Sequence, residues 1–209
     1  MSSGPPAPDC ALIVMAKAPA PGLAKTRLIP ALGPEGAAGL AARLLDHALR
    51  QATAAGIGPV ELCCAPDAKH AAFARWRDRR DLELTDQGPG DLGARMHGAI
   101  DRRLRGTGSA LLMGADAPAI EAPMLRQAAA ALQTCDAVFV PALDGGYALV
   151  GLRRAAPSLF EDMPWSTSAV MSLTRRRLAE APLTWIELTP VPDIDTPDDL
   201  QHLPAGWRA

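Results

Sequence analysis

The sequence predicts an α/β protein with a mostly parallel central sheet and helices on both faces, a three-layer α/β/α arrangement. Short apolar runs alternate with longer stretches of helical periodicity along the 209 residues. Most of those runs are apolar throughout, as strands covered on both faces are. The chain is also long enough to bury one sizeable core without disulfide or metal staples.

The elements follow in order. Residues 1–10, "MSSGPPAPDC", have no apolar stretch and are expected to be a disordered tail, leaving 11–209 as a single domain. "ALIVM" (11–15) is the first strand. Gly33 and Pro34 open a helix, because Pro suits a first helical turn, and Leu40, Leu44 and Ala48 give it an apolar stripe. "VELCC" (60–64) is a strand, 67–80 a helix, and "LEL" (82–84) a short strand. A helix over 91–105 starts where Asp91 can cap it. "ALLMG" (110–114) is followed by a helix over 121–133. "AVFVP" (137–141) and "YALVGL" (147–152) flank a tight Asp144-Gly145-Gly146 turn. Ser166 or Thr167 caps a helix over 167–180, "TWIEL" (184–188) is the last strand, and Thr196-Pro197-Asp198 starts a short terminal helix.

A formal charge of −2 and a pI near 6.1 supply no global attraction to nucleic acid. The basic stretches "RWRDRR", "DRRLR" and "TRRRL" read as solvated helix faces. No run approaches the roughly 18 apolar residues of a membrane span, so no membrane insertion is expected and the expected location is the cytoplasm. Cys10, Cys63, Cys64 and Cys135 form no CxxC pair, and the four histidines are scattered; neither structural zinc nor a disulfide framework is expected.

Ligands of open α/β sheets sit beyond the carboxyl ends of the strands, so those ends carry the functional information. The first opens into "MAKAPAPGLAKTRL", whose Pro19, Pro21 and Gly22 stiffen a loop ending in Lys25 and Arg27. It is neither a Walker A loop nor a GxGxxG fingerprint. An ammonium and a guanidinium fork on such a loop suit a polyphosphate, although an ordinary turn with exposed cations reads the same way. In "LLMGADAP", Pro118 ends the strand and holds Asp116 at the sheet's rim, as a ligand or as a helix cap.

"LDGGYALVGL" places Asp144, Gly145 and Gly146 where absent β-carbons allow a close approach, whether of a ligand or of the chain itself. In "VPDIDTPDDL", Asp198 and Asp199 serve the helix that follows, whereas Asp193 and Asp195 precede it. Two carboxylates about 5 Å apart repel by roughly 3 kcal/mol at an effective dielectric near 20. A divalent cation would cancel that cost, and magnesium takes only one or two protein carboxylates. "TDQGPGDLGARM" offers Gln87, Gly88 and Asp91. Gly93 in the first turn of its helix is costly unless something, such as a nucleobase or ribose, comes close. Trp165 in "MPWSTSAV" reads equally as core or as a stacking wall.

Together "AKAPAPGLAKTRL", "QGPGDLGARM", "GADAP", "LDGGYALVGL", "MPWSTSAV" and "DIDTPDDL" resemble, over residues 11–202, a family of small bacterial proteins in the nucleotide-diphospho-sugar transferase superfamily. Some of its members are described as glycosyltransferases of arsenosugar biosynthesis. The sequence is similar, more distantly, to phospholactate guanylyltransferases and to molybdenum-cofactor nucleotidyltransferases. The resemblance implies a GT-A-like fold and a divalent metal, Mg2+ or Mn2+. It implies phosphate contacts at Lys25 and Arg27, and a base and ribose near Gln87, Gly88 and Asp91. It implies metal ligation by Asp116 with Asp193 or Asp195, and a sugar or acceptor beside Asp144, Gly145, Gly146 and Trp165, with Lys25, Asp116 and Asp144 carrying the chemistry. The GGxGxRM opening of classical pyrophosphorylases is missing.

The expected function is metal-dependent transfer from a nucleotide-activated substrate, glycosyl transfer ahead of nucleotidyl transfer, with a non-catalytic nucleotide or sugar-phosphate binding module as the alternative outside catalysis. The implied partners are a nucleotide or nucleotide sugar and a small-molecule acceptor. A monomer and a homodimer both suit the sequence.

Overall fold

The computed structural model of the chain describes residues 9–207, so residues 1–8 of the expected tail lie outside the described residues. Cys10, assigned to that tail from the sequence, instead opens β1, which runs Cys10–Lys17. The other strands are β2 (Val60–Ala65), β3 (Leu82–Asp86), β4 (Ser109–Gly114), β5 (Ala137–Pro141), β6 (Tyr147–Leu152) and β7 (Trp185–Glu187). They form one seven-stranded sheet in the order β3-β2-β1-β4-β6-β5-β7. Only β6 runs antiparallel, pairing with β4 and, through the turn that joins them, with β5.

Alternation along β1 builds the three layers. Leu12 and Val14 face one side and pack with Leu45, Leu49, Leu125 and Ala129. Ile13 and Met15 face the other and pack with Met96, Ile100, Met171 and Leu178. The first face is covered by α1 (Ile29–Ala55) and, further along the chain, the helix Ala122–Ala131. The second is covered by helices Leu92–Leu104 and Val170–Glu180. In chain order the helix at Ala74–Arg77 is α2, that at Leu92–Leu104 is α3, that at Ala122–Ala131 is α4 and that at Val170–Glu180 is α5. This is the expected three-layer fold with its mostly parallel sheet.

Three helix boundaries differ from the sequence expectation. The chain is non-helical at Gly33, so a short turn precedes Pro34, where the long regular part of α1 starts. Only 71–77 of the expected 67–80 helix forms, because side chains take over the backbone donors ahead of it. Lys69 N–H donates to Asp67 (2.8 Å), Ala68 N–H to Asp86 (2.7 Å), and the His70 ring accepts from Ala72 N–H. Neither Ser166 nor Thr167 caps α5, whose N-cap is Ala169; Thr167 donates instead to the Pro164 carbonyl (2.7 Å).

On the α3 face, fully buried Glu61 of β2 receives both Arg102 and Arg103, fastening α3 to the sheet. A third cluster lies off the sheet's rim, where Leu28, Ala37, Leu40 and Leu44 enclose Ile194. That cluster fixes the C-terminal segment against α1.

Candidate functional site

The carboxyl ends of β1 and β4, the β5–β6 turn and the segments 163–170 and 193–195 enclose a cleft of about 560 Å³. Its assembly starts from Ile194. That side chain is fully buried and its N–H donates to the Asp116 carbonyl at 2.9 Å, so the flanking Asp193 and Asp195 are held at the end of β4.

Lys25 completes the convergence. It adopts a left-handed backbone (φ 52), and its ammonium lies 2.6 Å from Asp116 Oδ1, 2.5 Å from the Ile194 carbonyl and 3.9 Å from Asp195 Oδ1. The side chain is only 5 % exposed. Arg27 donates to Asp195 Oδ2 at 2.6 Å, so Asp195 answers two cations. Asp193 faces none. Burial first, and then the carboxylates of Asp144, Asp199 and Asp116, push its carboxyl up to about 6. Asp199 belongs to the terminal turn Pro197–His202, and its carboxylate accepts from the N–H (2.6 Å) and the hydroxyl (2.7 Å) of Thr196, the residue that caps the turn as expected.

Of the sequence-predicted residues, Lys25, Arg27, Gln87, Asp116, Asp144, Gly146, Trp165, Asp193 and Asp195 line the cleft. The Gln87 amide donates to the Ala16 (3.2 Å) and Cys63 (3.1 Å) carbonyls, which locks its orientation at the ends of β1 and β2. Asp144 accepts from Gly146 N–H at 2.8 Å and is otherwise exposed at the cleft.

Gly88, Asp91 and Gly145 do not line it. Asp91 caps α3 by accepting from Ala94 N–H at 2.8 Å. Gly145 (φ 94) lies so close to the Ser168 backbone that a β-carbon would sit 2.7 Å from Ser168 Cα; Met171 N–H donates to the Gly145 carbonyl at 2.8 Å. The close approach predicted at this turn is therefore that of segment 163–170. Gly93 is explained in the same way. A β-carbon there would collide with the Phe160 carbonyl and stand 2.8 Å from Trp165 Nε1, so the group that comes close is the protein itself and not a nucleobase.

Trp165 is half core and half wall. Its ring meets Tyr147 edge-on at 6.3 Å, while its buried indole N–H has no hydrogen-bond partner among the described residues. Sequence reading passed over Tyr147, Leu23 and Leu92, which also line the cleft, the two leucines being 46 % and 43 % exposed. The chain's single tyrosine directly after Asp-Gly-Gly was the available signal for Tyr147. The leucines carried none, since exposure is invisible in an apolar letter.

The fold and this rim site define the class, the nucleotide-diphospho-sugar transferase fold. A structure from Desulfovibrio desulfuricans G20 that carries the provisional name nucleotide-diphospho-sugar transferase matches with a TM-score of 0.86 and 28 % identity, over 96 % of this chain and 90 % of that one. The chain belongs to the DUF2064 family, described as an uncharacterized protein conserved in bacteria, whose model matches residues 48–167. The fold recurs at lower identity. A CMP:2-keto-3-deoxy-manno-octonic acid synthetase complexed with CTP matches with a TM-score of 0.59 at 12 % identity, over 93 % of this chain and 96 % of that one. Rv0371c of Mycobacterium tuberculosis H37Rv, in complex with manganese, matches with a TM-score of 0.54 at 19 % identity, over 93 % and 96 %. No curated protein matches the sequence. No helix of the described residues is long and apolar enough to cross a membrane.

Proposed function

We propose that the protein is a metal-dependent transferase that takes a nucleotide-activated donor and passes a glycosyl group to a small acceptor. The observation that carries this reading is the convergence, on one rim of one sheet, of Lys25 and Arg27 with Asp116, Asp193 and Asp195. That many opposed charges in one cleft speak against a non-catalytic binding module, because pure binding scarcely needs a complete metal site.

A divalent ion fits the donors present. Among the described residues no group of three or more His, Cys, Asp or Glu side chains surrounds one point, yet magnesium needs only one or two carboxylates. Asp193 is crowded by carboxylates and makes no ion pair with a cation among the described residues, which is the condition a cation relieves. Asp193 and Asp116, through the oxygen that Lys25 leaves unpaired, would hold it, since both oxygens of Asp195 face Arg27 or Lys25. Bound there, the ion would supply Lewis-acid neutralisation of pyrophosphate charge.

The chain's own residues do the rest. Arg27, 64 % exposed at its side chain, can turn from Asp195 to phosphate oxygens as a planar fork. Lys25 keeps Asp116 and the Ile194 backbone in place and puts positive charge beside the departing phosphates. Gln87 would meet the base or ribose from the cleft wall, whereas Gly88 and Asp91, which the resemblance ties to the same groups, do not line the cleft and Asp91 caps α3. An acceptor hydroxyl attacks the anomeric carbon, its proton passes to Asp144, and the C–O bond to the donor breaks with its electron pair leaving on the nucleoside diphosphate.

Nucleotidyl transfer is the second reading, favoured by the shared fold of the CTP-bound synthetase. A thermal-shift panel of nucleoside di- and triphosphates and nucleotide sugars, each with and without Mg2+ or Mn2+, tests the class; no response to any nucleotide would overturn it. Release of nucleoside diphosphate rather than pyrophosphate separates the two reactions.

A further inference from the structure

Charge is segregated within the cleft. Its basic side chains, Lys17, Lys25 and Arg27, all belong to β1 or the loop that follows it. The facing half is built from the β5–β6 turn, the start of β6, segment 163–170 and Asp193, whose carboxylate feels that of Asp144, and among the described residues no Lys or Arg from these parts lines it. It presents Asp144 and Asp193, the rings of Tyr147 and Trp165, and Ser166.

The polar atoms of this half are left open to a guest. Asp144 commits one oxygen to Gly146 N–H, and the Tyr147 and Ser166 hydroxyls make no hydrogen bond to another described residue. Burial raises the pKa of the Tyr147 phenol, which keeps it a neutral donor and acceptor. Ser166 holds a left-handed backbone (φ 64) that a residue other than glycine rarely adopts, and it does so at the cleft wall.

Carboxylates, neutral hydroxyls and aromatic edges without a cation are the wrong set for an anion. A phosphate or carboxylate group there would meet Asp144 and Asp193 with no guanidinium or ammonium to offset them. The hydroxyls of a sugar or polyol instead donate to the carboxylates, and its C–H face covers the rings. A cation held at Asp116 and Asp193 would still leave Asp144 without a basic neighbour in this half.

We infer that this half of the cleft receives an uncharged polyhydroxyl acceptor, a sugar or polyol, and turns away acceptors bearing phosphate or carboxylate. The inference rests on the transferase reading above and names its acceptor class.

The test uses the full chain with Mg2+ and saturating inorganic pyrophosphate, which fills the basic half. Saturation-transfer NMR titrations then compare methyl α-glucoside and ribitol with glucose 6-phosphate and ribitol 5-phosphate. The neutral compounds are expected to bind saturably, and their phosphorylated counterparts about tenfold or more weakly. Asp144→Lys should reverse the order, and the milder Asp144→Asn should narrow it, with circular dichroism confirming both folds. Phosphorylated compounds binding as well as neutral ones, or neutral compounds failing to bind while calorimetry detects pyrophosphate, would overturn the acceptor class alone. Failure of pyrophosphate itself to bind would overturn the nucleotide reading and this inference with it.

Discussion

The Lys25 ammonium stands 2.6 Å from Asp116 Oδ1 and 2.5 Å from the carbonyl of Ile194, a residue 169 positions further along the chain. One nearly buried cation thus ties the loop after β1 to the end of β4 and to the C-terminal segment. Lys25→Met leaves a carboxylate and a carbonyl without their donor. Because Asp116 is about half exposed, the expected loss is about 1–2 kcal/mol rather than the larger cost of a fully buried pair. Thermal unfolding should drop by roughly 3–6 °C, and turnover should be lost.

Arg27 contrasts with Lys25. Its bridge to Asp195 is solvent-exposed on both sides, so Arg27→Ala should change stability by less than about 1 kcal/mol. Calorimetry should nevertheless show nucleotide affinity weakened by roughly tenfold, because a charged hydrogen bond to phosphate is lost.

Asp193 should make stability depend on pH and metal. A carboxyl raised to about 6 holds its proton more tightly in the native chain than in the unfolded one. Its contribution therefore favours folding in acid and fades as pH climbs through about 6. Asp193→Asn, without divalent ions, should unfold at a higher temperature than the parent near neutral pH, and the gain should shrink as pH falls through about 6 and vanish only below 3.8. Magnesium should stabilise the parent near neutral pH but not the variant.

Gly93→Ala separates two opposed effects. Helix propensity alone would stabilise α3 by about 1 kcal/mol. The new β-carbon, however, strikes the Phe160 carbonyl and the Trp165 indole, so a net loss of about 1–3 kcal/mol is expected in denaturant titrations.

Why some of this was legible and some not follows from the residues. Strand cores such as Ala11–Met15 and Val138–Val140 are short, apolar on both faces and bounded by turn residues, which together mark buried strands. The rim carboxylates were legible because Pro118 ends a strand and Thr196-Pro197 starts a helical turn beside them. The helix expected over 67–80 was not, since its fate turns on Asp86, whose carboxylate arrives from another strand to claim Ala68 N–H. The difference between Asp193 and Asp195 was equally hidden. It depends on Ile194 entering the cluster with Leu28, Leu40 and Leu44, which leaves one neighbour facing Arg27 and the other facing carboxylates. Gly93 and Gly145 signalled close contact correctly but could not say whether the visitor was a ligand or the chain.

All seven strands are complete by Glu187, yet Asp193, Ile194 and Asp195 come after them. A protease that clips the chain between Glu187 and Asp193 would leave every strand unbroken and detach Asp193 and Asp195 together with the carbonyl that Lys25 grips. The scaffold and the working site are thus separable by a single cut, and loss of function by trimming would escape any assay that watches secondary structure alone.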